Sequence, residues 1–136
     1  MAVVKNEIKG VMNLLDNTIK GIVRESPDYM RNDIRMQMNG AKSGRIYTRR
    51  SIQHQASAPG EAPAIDTANY VSGITTKQIT PNQSAVQSDA PQSLALELGR
   101  PEKNLLPRPA WVPAAKRESK RIAERLTKLA RKIENV

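Results

Sequence analysis

SAPGEAPAIDTANYVSGI, from Ser57 to Ile74, is the stretch that decides how the chain is built. Pro59-Gly60 has the residues of a type II turn: proline presets φ at the second position and glycine accepts positive φ at the third. Pro63 biases the residue before it away from helix, so Ala58 to Ala64 reads as an extended arm with little backbone freedom left to lose. Asp66 or Thr67 can then cap a short helix that sets Tyr70 and Ile74 on one face, four residues apart. Small residues, a stiffened backbone and one capped turn suit docking, and they offer no reaction chemistry.

Upstream of the arm, Gly44 to Ile52 (GRIYTRRSI) alternates Ile46, Thr48 and Arg50 with Tyr47, Arg49 and Ser51. That pattern predicts a strand with Tyr47 tucked beneath it, or alternatively a phosphate contact through Arg45, Arg49 and Arg50. Downstream, Ile74 to Ser88 reads as two strands around Pro81-Asn82. After Pro91, Leu94, Ala95 and Leu98 make a short helix stopped by Gly99, with Glu97 beside the apolar strip. Glu97 either accepts from loop backbone, pairs with an arginine, or faces water. Pro101 to Pro113 contains four prolines and the only tryptophan, Trp111, and delivers the chain stiffly into its last helix.

Both ends are helical by periodicity. Val4, Ile8, Val11, Leu15, Ile19 and Ile22 recur at steps of four and three. Gly10 and Gly21 each weaken that helix by roughly 1 kcal/mol relative to alanine, so packing must hold it. Ser26-Pro27-Asp28 predicts a stop and a restart, with Ser26 as cap and Pro27 in a first helical position. A second piece then presents Met30, Ile34 and Met38 on one face, as core or as an adaptable partner surface, and Asn39-Gly40 ends it. In the last helix Ala115, Ser119, Ile122, Leu126, Leu129 and Ile133 form the stripe. Basic side chains, Arg121, Arg125 and Lys128 among them, cover its other faces. Such a helix either lids the core or meets nucleic acid, a membrane surface or an acidic partner.

The 136 residues predict a single domain, 1–136, with no phenylalanine and few aromatics, so its core must come from Ile, Leu, Val, Met and Ala. A core that thin predicts stability drawn partly from assembly. The absence of cysteine excludes disulfides and thiolate metal sites and fits a reducing, intracellular setting. No apolar run approaches membrane-spanning length. The net charge of +9 is uneven: +5 on residues 1–50, −1 on 51–110 and +5 on 111–136. His54, Ser57 and Asp66 could be drawn as a triad, but all three lie in one proline-broken stretch with nothing to hold them. A lone histidine builds no metal site, and no phosphate-cradling glycine motif is present, so neither enzyme chemistry, metal nor cofactor is expected.

Taken in order, GRIY (44–47), HQASAPGEAPAIDT (54–67), LELGR (96–100) and PRPAWVPA (107–114) resemble the head–tail joining family of tailed bacteriophages, the lambdoid-type neck or tail-completion proteins. The chain departs from that pattern at Ala68, where glycine is usual, at Tyr70 for leucine, at Gln92-Ser93 for Tyr-Ala and at Arg100 for a small hydroxyl residue. Trp111 also sits one residue past the usual aromatic.

The resemblance implies an α+β fold: a small antiparallel or mixed sheet flanked by a long N-terminal and a long C-terminal helix. The proline-rich arm would span about 53–66 and the basic helix about 111–135. It further implies a structural virion protein, made in the host cytoplasm, that forms a six- or twelve-fold ring of identical subunits at the head–tail junction. Its neighbours would be head-completion or connector proteins on one side and tail-terminator or tail-tube proteins on the other. Ser57, Ala58, Pro59, Gly60, Glu61, Pro63, Ile65 and Asp66 become the expected subunit interface, lying on a neighbouring subunit or ring. Glu97, Gly99, Arg108, Pro109 and Trp111 become structural motif positions. Arg45, Arg49, Arg50, Arg121, Arg125 and Lys128 become contacts to acidic neighbours or to genomic DNA. A small basic nucleic-acid-binding protein working through its terminal helices is the alternative.

Overall fold

The structure, a computed structural model, describes residues 2–65 and 68–135, with side chains from residue 7 onward. It is α+β, and its long helices lie at the two ends of the chain. Helix α1 (Ala2–Asn39) leads to strands β1 (Ile46–Arg49) and β2 (Ile52–Gln55), and then to the short helix α2 (Asn69–Ser72). Strands β3 (Ile74–Thr80) and β4 (Gln83–Ser88), helix α3 (Ser93–Leu98), a 3-10 turn and helix α4 (Trp111–Glu134) complete it. The expected small sheet is in fact two separate antiparallel hairpins, β1–β2 and β3–β4.

The predicted break at Pro27 does not occur: α1 runs unbroken for 38 residues with the proline inside it. An interior proline removes the N–H that would bond the carbonyl four residues back, here that of Val23. Ser84 of β4 supplies the missing donor, its hydroxyl reaching the Val23 oxygen at 2.5 Å. Pro27 itself is buried beneath the β3–β4 hairpin side of the helix. Replacing Ser84 by alanine leaves that carbonyl unsatisfied and should cost about 1–2 kcal/mol in urea unfolding. A loss below a few tenths of that scale would mean that water already serves the site.

The core gathers where α1, α2, β3 and α4 converge. Ile34 and Ile74 are fully enclosed, with Met38, Tyr70, Ala110 and Ala114 around them. The Met30–Ile34–Met38 face is therefore core, as its spacing predicts. Tyr70 and Ile74 do share the core, although Ile74 opens a strand instead of ending a helix. The capping residues Asp66 and Thr67 lie outside the described residues; the residue before α2 is Ala68, in the left-handed region with φ 63°. Arg35 secures this corner from α1, donating to the carbonyls of Val71 (3.2 Å) and Ile74 (2.9 Å). The β3–β4 hairpin turns at Pro81-Asn82, where the sequence places it.

Helix α4 returns antiparallel along α1, and the face it buries differs from the predicted stripe. Ala114, Glu118 and Leu129 are buried, whereas Ser119 is exposed and Leu126 is 43% exposed. The stripe shifts because arginines, not aliphatics, line much of the seam, laying their stems along α1 with their charges satisfied there. Arg117 holds Asp33 through a forked pair of hydrogen bonds at 2.7 and 2.6 Å. That bond, more than any other influence, keeps the Asp33 carboxyl below the ordinary carboxylate range. Arg121 lies 3.1 Å over the Tyr29 ring, and Arg125 meets Glu25 at 2.9 Å.

Candidate subunit-docking surface

The proline-rich segment forms the type II turn its residues require, but it does not extend from the protein. Glu61 N–H closes the turn on the Ala58 carbonyl at 3.0 Å, and Gly60 takes φ 86°. The Glu61 carboxylate then accepts from Ala58 N–H (2.8 Å), from Ser43 N–H (3.1 Å) and from the Ser43 hydroxyl. These bonds, the Ser43 hydroxyl foremost, lower its pKa. Gly60 N–H donates to the Pro107 carbonyl at 3.0 Å, and Arg108 Nε to that of Ser57 at 3.2 Å. Ser57, Ala62 and Pro63 are buried, while Ala58 and Ile65 are half-buried and Pro59 is exposed. The expected interface arm is thus pinned to its own chain along its length, with Asp66 outside the described residues. The polar side chain at Glu61 and the backbone groups of Pro107 explain the difference: a stiff segment still needs its backbone groups satisfied, and here its own chain satisfies them.

What stands away from the body is the hairpin just before it. The single strand predicted over Gly44–Ile52 is broken at Arg50-Ser51, both at positive φ (50° and 62°), and β2 occupies the start of the predicted arm. This is a two-residue turn of the type that matches strand twist, made without its usual Asn-Gly. Tyr47 and His54 pair across the strands with rings stacked 5.5 Å apart, and that face, half-buried, is turned toward the molecule. Arg49 on the same face lines a cleft with Met38, Pro63 and Tyr70. Ile46 and Ile52 are 56% and 60% exposed, among Arg45, Arg49 and Arg50, all exposed. An isolated two-stranded hairpin is marginal in water, so this one is suited to completion by another surface.

The motif residues around α4 form a second unit. Glu97 of α3, left open between three fates by its sequence context, accepts from the backbone of Ala110 (2.8 Å), Trp111 (3.0 Å) and Val112 (2.7 Å). The next residue, Pro113, has no N–H, so the start of α4 is fully satisfied by one carboxylate. Gly99 ends α3 at φ 78°, where an added Cβ would sit 2.8 Å from the Leu105 carbonyl oxygen. Arg108 N–H reaches the Leu96 carbonyl at 2.7 Å, and Pro109 beside it is half-buried. Trp111 Nε1 donates to the Tyr70 hydroxyl at 3.0 Å, itself 3.2 Å from Ser93 Oγ. Leu96 is the α3 residue that faces the core; the predicted strip residues Leu94 and Leu98 are 69% and 63% exposed. A six-residue helix anchored through Glu97 has turned the opposite side inward.

Among the predicted charge contacts, Arg121 and Arg125 are engaged on α1 and Lys128 is exposed. His54 is stacked on Tyr47 and Ser57 is buried beside Arg108, so the arrangement brings no nucleophile to a base. Among the described residues, no cluster of metal-binding side chains occurs and no helix is long and apolar enough to cross a membrane. Ser43, Arg35 and Ser84 hold the fold together and carry no signal in the sequence, because each acts on a partner far along the chain. Compared with known proteins, the chain matches no family model, no curated protein and no solved structure.

Proposed function

We propose that this chain is a structural subunit of a phage head–tail junction, assembling with identical copies into a ring between the head's connector and the tail. The reading joins the resemblance of residues 44–114 to one structural observation. Among the described residues, thirteen large apolar side chains are exposed against nine buried hydrophobic ones, while no buried side-chain polar atom lacks a partner. Scattered exposed apolar residues are ordinary, but here they gather on the β1–β2 hairpin, on α3 and on the N-terminal part of α1, as on a subunit waiting for its neighbours. The hairpin, with two isoleucines among three arginines, suits an apolar recess rimmed by acidic groups on the adjoining ring. The rival reading, nucleic-acid binding through the terminal helices, is less well supported, since Arg121 and Arg125 already have partners within the chain. No reaction belongs to the proposal.

Electron microscopy of particles made by the encoding phage with this gene interrupted tests it. DNA-filled heads beside finished, unattached tails are the expected result, and normal infectious virions would overturn it.

A further inference from the structure

The elements that cover α1 run out before the helix does. Leu129 of α4 lies by Thr18, and the β3–β4 turn reaches the helix at Lys20 and Arg24. N-terminal of these points α1 continues with Ile8, Val11, Leu15 and Thr18, spaced three and four apart, the seam of a helix made to pack on another helix. Ile8 and Met12 are each 59% exposed and Ile19 is 42% exposed, so the seam is flanked by further apolar surface. A short helical segment is marginal in water without a packing partner, and Gly10 weakens this one further.

Charge points to the occupant. Residues 7–19 contain Glu7, Lys9 and Asp16, net −1, in a chain of net +9. The basic surface that would draw DNA or an acidic protein lies elsewhere; this stretch alone can approach its own copy without the repulsion the rest of the molecule carries.

We propose that residues 7–19 of α1 form a helix–helix seam with the same residues of a second copy of this chain. The seam deepens the reading as a ring subunit and rests on it only for the number of copies that assemble.

Sedimentation velocity of the full chain over a range of concentrations tests the seam. The wild type should associate, and the Ile8→Lys, Met12→Lys double variant should lose at least about a hundredfold in association constant, the scale of two apolar side chains removed from an interface. Met36→Lys, at a 73% exposed position near the other end of α1, should leave association unchanged. A wild type that stays monomeric at its highest soluble concentration, or an assembly the double variant leaves intact, would overturn the proposal. Because the chain has no cysteine, a mixture of Ile8→Cys and Val11→Cys chains gives an independent reading that does not depend on the lysine variants folding. Disulfide-linked pairs are expected under mild oxidation, and their absence would also overturn it. Particle microscopy decides the joining role separately: infectious virions without the chain would remove that role and leave a seam measured in solution standing.

Discussion

Glu97→Ala unfastens the start of α4 and lowers the stability of the chain by about 3 kcal/mol, the scale of losing an ionised acceptor from three backbone donors in a half-buried site. The donors are the N–H groups of Ala110, Trp111 and Val112, and no other side chain takes them. The same loss loosens the seat of α3, because Glu97 is the bond that ties the two helices together. Glu97→Gln keeps one acceptor oxygen and no charge, so it should fall between the wild type and Glu97→Ala. Urea unfolding followed by the fluorescence of Trp111, the only tryptophan, reports on the site itself. An alanine variant within about 1 kcal/mol of the wild type would show that water replaces the carboxylate without loss.

Ile74→Ala and Ile34→Ala should each cost about 3–4 kcal/mol, through lost burial and the cavity left behind. Both side chains are fully enclosed, and they are the only large ones among the described residues that are. A domain of this size is commonly stable by about 5–15 kcal/mol in total, so either change takes a large share, and the pair together should abolish cooperative unfolding. The surface control is Ile79→Ala: that residue is 47% exposed, and its loss should stay within about 0.5 kcal/mol. Equal effects at positions 74 and 79 would mean that the core is not where the enclosure places it.

Local pattern was enough for much of the fold. Helical stripes mark α1 and α4, Pro81-Asn82 marks the second hairpin, and Pro59-Gly60 forms the turn its residues dictate. The misread elements are those settled at long range. Pro27 reads as a helix boundary until Ser84 is brought beside Val23. Arg50-Ser51 reads as part of a strand because neither residue advertises a tight turn, yet the pairing of Tyr47 with His54 forces one. The proline-rich segment reads as free because its stiffness is local, whereas Ser43, Pro107 and Arg108, which hold it down, lie in other parts of the chain. At the docking surface, sequence pattern located the arginines of the hairpin but placed the projecting element some residues too late.

The Ser84 hydroxyl has a consequence for the order of events in folding. Val23 and Ser84 are 61 residues apart, so the helix on either side of Pro27 cannot be joined by information near the proline. During synthesis the first half of α1 and its second half can each become helical early, but their common axis is set only after β4 has emerged and docked. The direction in which the N-terminal end of the helix points is therefore a late readout of the completed core, and a chain that has not finished folding does not present that end to anything else.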